Sequence, residues 1–251
     1  MIFKRGLKVL IAASTMITSF QPASAEVAIL VENENIIENN FNISRKRQLF
    51  PGIGMSDYAD IAFDGGIYVD KSRLISEILN RREQVFLFTR PRRWGKSTNL
   101  NMMQYFFNPV MDERGKPVDP QPYRKMFKQM QVGNTAVETL KKGKYQEVNV
   151  VDHYQGQHPT IFISLKDVKH PTFSRMQLGL EQQVTMAFQR HYYLRTSTAL
   201  NENDRREYSE FIDRHLALSS TRPEDQLSSA GIANSLLILS SWLYKHHGKK
   251  A

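Results

Sequence analysis

The segment Val85-Phe86-Leu87-Phe88-Thr89-Arg90-Pro91-Arg92-Arg93-Trp94-Gly95-Lys96-Ser97-Thr98 passes from an apolar run through a basic turn into helix-forming residues. Val85 to Thr89 shows almost no alternation, as in a strand buried on both faces of a parallel sheet. Beyond the turn, Leu100, Met103, Phe106 and Phe107 recur on one helical face, and Asn108-Pro109 stops that helix. The order is strand, loop, helix.

A helix start presents unpaired backbone N–H groups and the positive end of its dipole, which makes it a ready phosphate site. In Gly95-Lys96-Ser97 the glycine lets the backbone approach, the lysine reaches the outer phosphates, and the serine hydroxyl ligates a magnesium ion that the phosphates hold. The strict pattern G-x-x-x-x-G-K-[ST] is nevertheless not met, because Arg90 stands where its first glycine belongs. Pro91 also deletes a backbone donor, while Arg90, Arg92 and Arg93 add cationic groups. The residues by themselves leave two readings open: a nucleotide loop in which arginines offset the lost glycine, and a solvated basic turn that Gly95 merely caps.

Working outward, Tyr68-Val69-Asp70 reads as a short strand ending in a helix cap. Leu74, Ile75, Ile78 and Leu79 then predict an amphipathic helix over Lys71 to Arg81 with Asp70 as N-cap. Upstream lie a turn-rich entry, Phe50 to Gly54, and an Asn- and Glu-rich leader, residues 26–49. Downstream, Met111 to Pro122 reads as a surface connection. Tyr123 to Gln155 reads as short helical pieces with a Lys-rich turn at Lys141-Lys142-Gly143-Lys144. Thr160 to Leu165 reads as a second strand, and helices are expected over Thr172 to Leu194, Glu202 to Leu218 and Gln226 to His246. This alternation predicts an α/β fold with a three-layer parallel sheet.

Met1 to Ala25 has the pattern of a secretory signal peptide. Lys4, Arg5 and Lys8 form a basic start, Val9 to Phe20 an apolar run, and Ala23-Ser24-Ala25 a small-residue cleavage site. The run falls short of the ~20 residues that span a bilayer, so the mature chain is expected to carry no transmembrane span and to follow the secretory route to the periplasm or beyond. Composition fits a soluble globular domain: 41% of the 251 residues are apolar. Lys and Arg number 34 against 25 Asp and Glu, a net charge of +9 that favours anionic partners. With no Cys, disulfides and thiol catalysis are excluded.

Phe50-Pro51-Gly52-Ile53-Gly54-Met55-Ser56-Asp57-Tyr58, Tyr68-Val69-Asp70-Lys71-Ser72 and Phe88 to Ser97 together resemble, in order and spacing, the bacterial AAA-ATPase-like family. In that family the phosphate loop reads R-P-R-R-[FW]-G-K-S, so Arg90 in place of glycine is the family's habit. The resemblance runs from about Phe50 to Lys249 and implies a P-loop NTPase-like domain with ATP and Mg2+ as cofactors. Residue by residue, it implies that Lys96 contacts the β- and γ-phosphates, Ser97 binds magnesium and Gly95 admits the phosphates to the backbone. Arg92 and Arg93 join the nucleotide-binding set without a defined contact. A strand end with a helix cap accounts for the Tyr68 to Ser72 block, a nucleotide contact being the alternative.

The family pattern further implies an apolar strand, ending in a magnesium- and water-orienting carboxylate, after the helix that matches Ile232 to His247. The chain stops at Gly248-Lys249-Lys250-Ala251, so residues 50–251 are expected to form an incomplete, truncated domain. It would bind ATP with hydrolysis weak or absent and no assigned catalytic residue. Asp167, at the end of the second strand, reads as a surface carboxylate rather than a substitute. Two alternatives are a basic module that binds nucleic acid or another polyanion, and an inactive fragment of a disrupted gene. His153, His158, His246 and His247 lack metal-ligand spacing and read as solvated. Trp94, Tyr105, Phe106 and Phe107 beside the basic turn suit base stacking, although helix packing accounts for the last three more simply.

Overall fold

The computed structural model describes residues 9–11, 57–63, 68–81, 83–141, 143–166, 168–216 and 229–248. The elements, in chain order, are strand β1 (Val9–Ile11), helices α1 (Tyr58–Phe63) and α2 (Arg73–Asn80), strand β2 (Val85–Leu87), helices α3 (Lys96–Phe107) and α4 (Arg124–Gln129), strands β3 (Ala136–Lys141) and β4 (Lys144–Asn149), and helices α5 (Val150–Tyr154), α6 (Phe173–Gln189), α7 (Glu202–Leu216) and α8 (Ser229–His247). Short 3₁₀ turns occupy Gln131–Asn134 and Tyr192–Thr196. The fold is therefore mixed helix and strand. Leader residues 26–49, the entry Phe50 to Gly54 and Asp167 lie outside the described residues. No helix among the described residues is long and apolar enough to cross a membrane.

The chain divides into two compact units. One comprises Lys8–Met103 and Lys125–Asp152. Its core gathers Tyr58 from α1, Ile75 and Ile78 from α2, Met102 from α3 and Phe127 from α4, all buried. Tyr58 stacks on Phe127 and meets Tyr68 edge-on at 5.3 Å. Each hydroxyl ends on a methionine sulfur, Tyr58 on Met130 and Tyr68 on Met102, so the polar tips of these aromatics find partners inside the core. Asn101 on α3 accepts the Tyr58 N–H at 2.6 Å and thereby satisfies one open donor at the start of α1.

In this unit β1 pairs parallel with β2, Val9 opposite Val85 and Ile11 opposite Leu87. Val85 and Leu87 are nonetheless exposed, 55% and 60%, where the sequence predicts burial on both faces. Among the described residues β1 is the sheet neighbour of β2, and a parallel sheet wider than this pair is not formed. β3 and β4 form an antiparallel hairpin in which Lys141 pairs with Lys144. The Lys-rich turn is thus the tip of a hairpin, with Gly143 at φ 79° supplying the left-handed residue a two-residue loop requires. The cue lay in Ala136 to Leu140 and Tyr145 to Val148, β-compatible runs on either side of a loop containing Gly.

The other unit comprises Met1–Leu7, Gln104–Arg124 and His153–Ala251. Here α6, α7 and α8 bury Val184, Phe188, Tyr208, Ile212, Trp242 and Leu243 against one another. The Tyr208 hydroxyl donates to the Phe188 carbonyl at 2.7 Å. Asp204 accepts from the Trp242 indole and, through both oxygens, from the Lys245 ammonium. Asn201 and Thr172 accept N–H groups in the first turns of α7 and α6.

Several expected boundaries shift for local reasons. The helix expected over Thr172 to Leu194 ends at Gln189, and the 3₁₀ turn Tyr192–Thr196 follows. Thr160 to Leu165 forms no strand, because side chains take the place of a ladder partner. Asn108 Oδ1 accepts the Thr160 N–H, and the Thr160 and Phe162 carbonyls accept from His191 and Arg190. Ile161 and Ile163 pack against the helical core all the same.

His246 and His247, read from sequence as solvated, are half-buried and engaged. Since the Thr160 carbonyl can only accept, His191 Nε2 carries hydrogen and its Nδ1 accepts from the Tyr193 hydroxyl at 3.1 Å. His247 Nε2 then donates to the Tyr193 oxygen at 2.8 Å. His246 Nδ1 meets the buried Ser197 hydroxyl at 2.6 Å. Burial lowers the His191 pKa from 6.5 to about 4, with Arg190 and His246 pushing the same way against the Thr160 carbonyl. The folded state thus prefers the neutral ring, so this contribution to stability is complete above about pH 6.5 and is lost as pH falls toward 4. Urea unfolding between pH 4 and 8 is expected to show a loss for the parent that His191→Gln lacks. The shift from 6.5 to about 4 makes that difference roughly 3 kcal/mol. Equal slopes in both proteins would contradict the assignment.

Candidate functional site

The basic turn leaves β2 at Leu87 and enters α3 at Lys96. Gly95 has φ 73° and Arg93 φ 65°. A left-handed residue turns the chain sharply enough to start a helix directly behind a strand. Gly95 meets that geometry without strain, whereas Arg93 adopts it at a cost of about 1 kcal/mol or more.

The first intrahelical bond of α3 runs from the Asn99 N–H to the Gly95 carbonyl at 2.8 Å. The N–H groups of Lys96, Ser97 and Thr98 precede it and have no acceptor within the helix. No acidic residue occupies the first turn, so nothing from the helix itself offsets the positive end of the dipole. The far end of α3 is closed: the Phe106 and Phe107 carbonyls accept from the N–H groups of Gly156 and His158.

Lys96 folds back over the turn. Its ammonium donates to the Arg90 carbonyl at 2.7 Å and to the Pro91 carbonyl at 2.9 Å, holding the two ends of the basic segment together. Ser97 is exposed, as are Arg90, Arg92 and Arg93, and these arginines enter none of the ion pairs among the described residues. Gly95, Lys96, Ser97, Arg92 and Arg93 therefore lie on one continuous turn.

Of the aromatics, Trp94 stands 58% exposed on this turn. Phe106 is buried edge-on to Phe107, and Tyr105 meets Tyr123 edge-on at 5.0 Å. Packing thus accounts for the aromatics on α3 and leaves Trp94 alone beside the cations. A shallow cleft between α2 and β2, lined by Leu74, Ile78, Phe86 and Phe88 among others, holds about 190 Å³. That is below the 300–1,000 Å³ of small-molecule sites.

Asp70, expected as the N-cap of α2, instead precedes it. Ser72 occupies the cap position, and Asp70 accepts the N–H groups of Ser72 and Gln131, each at 2.8 Å. The carboxylate therefore ties the entry of α2 to the 3₁₀ turn instead of extending the helix backwards. The same clamp brings Lys71 beside Gly95, a neighbour that the sequence spacing does not disclose. A Cβ built on Gly95 would lie 3.7 Å from the Lys71 ammonium nitrogen.

Relief of the left-handed strain gives a direct check on the turn. Arg93→Gly is expected to leave stability unchanged or raise it by up to about 1 kcal/mol in urea unfolding. Arg93→Val, which cannot accept a positive φ cheaply, is expected to lower it.

Comparison with curated proteins and with solved structures gives no match to this chain. The model of one family, described as Predicted AAA-ATPase, matches residues 52–227. That span takes in α1, α2, the whole turn with Lys96 and Ser97, and the helices through α7. Because the match covers well over half of the chain, this protein belongs to the AAA-ATPase-like family.

Proposed function

We propose that the chain binds ATP with magnesium at the turn between β2 and α3, in a P-loop-type arrangement, with hydrolysis weak or absent. The observation that carries this reading is the Lys96 ammonium bonded to the Arg90 and Pro91 carbonyls at a helix start whose N–H groups are open. In a complex, Lys96 would exchange these neutral acceptors for phosphate oxygens, and such charge-assisted bonds are roughly twice as strong. The exposed Ser97 hydroxyl would serve as a magnesium ligand, and the bound ion would supply charge neutralisation across the outer phosphates. Arg92 and Arg93 add cationic character that the turn itself does not neutralise.

In this reading β2 is the loop strand of a three-layer parallel sheet. Hydrolysis is proposed as weak or absent because a P-loop hydrolase also needs a carboxylate that holds magnesium and orients water, and this reading assigns none.

Thermal unfolding of the 251-residue chain with and without Mg-ATP tests the site. A ligand at about 100 times its Kd adds ~2.7 kcal/mol to the native state, which for a chain of this size raises Tm by roughly 5 °C or more. The parent is expected to show that rise and Lys96→Ala to lose it, with phosphate release near background in both. A parent whose Tm ignores Mg-ATP would remove the reading.

A second reading is favoured by the exposed Arg90, Arg92 and Arg93 next to exposed Trp94, an arrangement that also suits a single-stranded polyanion. Oligonucleotide binding would then fall steeply as salt rises. Competition by Mg-ATP at fixed ionic strength separates the two readings.

The secretory route is proposed on the pattern of Met1 to Ala25. Cleavage after Ala25 would also remove Val9–Ile11, the strand paired with β2. Intact mass of the protein recovered from the bacterial periplasm is expected to correspond to a chain starting at Glu26. A mass that includes Met1 would indicate that β1 is retained and that the segment does not act as a cleaved signal.

A further inference from the structure

We infer that Lys71 is a phosphate-binding residue of the same turn, a second ammonium that the fold sets beside Gly95; this rests on the nucleotide reading given above. Lys71 lies far from the turn in sequence and belongs to the Tyr68 to Ser72 block, whose structural role leaves its side chain unused. That block is held from three directions. The Tyr68 hydroxyl reaches Met102 on α3 at 3.1 Å, the Asp70 carboxylate accepts the Gln131 N–H, and the Ser72 hydroxyl accepts the Val132 N–H at 3.0 Å. With its neighbours fixed, the exposed Lys71 side chain emerges beside Gly95.

The placement follows from the glycine. Lys71 Nζ stands 3.7 Å from where a Cβ at position 95 would be, so the ammonium approaches the backbone on the side that the missing side chain leaves open. Lys96 meanwhile contacts the carbonyls at the other end of the turn. One ammonium thus lies at the Gly95 end of the segment and the other at its Arg90 end.

Ordinary ion pairing does not account for Lys71. It enters none of the ion pairs among the described residues, and the adjacent Asp70 carboxylate already accepts the N–H groups of Ser72 and Gln131 through its two oxygens. Lys71 joins Arg90, Arg92, Arg93 and Lys96 around a helix start with no acid in its first turn. Like charges gathered in one neighbourhood repel, and an anion shared among them offsets that repulsion. The ligand chemistry that fits is a chain of phosphates, which presents several acceptors at the spacing of several cations.

Equilibrium titration of the full chain with Mg-ATP and with inorganic tripolyphosphate, read by Trp94 fluorescence, tests the inference in the parent, Lys71→Met, Lys71→Arg and Lys96→Ala. Lys71→Met is expected to weaken both ligands about tenfold or more. Lys71→Arg is expected to stay within about threefold of the parent, because it keeps the charge and the donors. Unliganded melting of Lys71→Met should equal the parent's, as the side chain is exposed. If Lys71→Met binds both ligands as the parent does while Lys96→Ala binds neither, the role of Lys71 is overturned and the nucleotide site stands. A loss for ATP alone would also overturn it, since Lys71 would then serve the nucleoside. If the parent binds neither ligand, the nucleotide reading fails and Lys71 falls with it.

Discussion

A helix that begins in solvent leaves its first N–H groups and its dipole uncompensated, and keeping the start of α3 in that condition constrains the unit around it. Capping is the usual remedy, and a Ser, Asp or Asn at the preceding position would supply it. Gly95 stands there instead, with no side chain and a left-handed backbone. The cost is tolerable because the rest of α3 is anchored: Met102 and Met103 are buried, Asn101 holds α1, and Tyr68 packs its hydroxyl against Met102. Stability drawn from one face of the helix allows its first N–H groups to stay uncapped.

Charge sharpens the same constraint. Arg90, Arg92, Arg93, Lys96 and Lys71 occupy one neighbourhood, and only Lys96 finds acceptors within the turn. Exposure and salt moderate the repulsion, since charges facing water interact through a high dielectric and within a Debye length of about 8 Å. In the proposed complex a multiply charged anion would meet a site whose electrostatic cost is already borne by the fold. Such preorganisation, rather than a deep cavity, is what the proposed site would offer.

The helical unit of α6, α7 and α8 uses polar groups differently. Asp204 joins the Trp242 indole to the Lys245 ammonium, and Tyr193 links His191 to His247. Each network fixes neighbouring helices or turns through donors and acceptors that match one another. Because buried His191 must stay neutral for its part, the network is specific and also sensitive to acid.

Much of the local structure was legible from residue order. The apolar run before Arg90, the spacing of Leu100 to Phe107 and the turn chemistry of Gly95-Lys96-Ser97 determined a strand, a loop and a helix, because periodicity and backbone freedom act over a few residues. The three linked blocks likewise pointed to the family to which the chain belongs. Less legible were Thr160 to Leu165, whose strand-like composition met side-chain partners instead of a ladder, and the hairpin on either side of Lys142-Gly143. Helix ends also moved where a carboxylate, as at Asp70, found a distant N–H to accept. His246 and His247 read as solvated because sequence spacing does not disclose Ser197 and Tyr193 as their partners. Which residues meet across many positions, Lys71 with Gly95 above all, was decided only by tertiary structure. Such contacts depend on where packing fixes each element, and no local pattern carries that information.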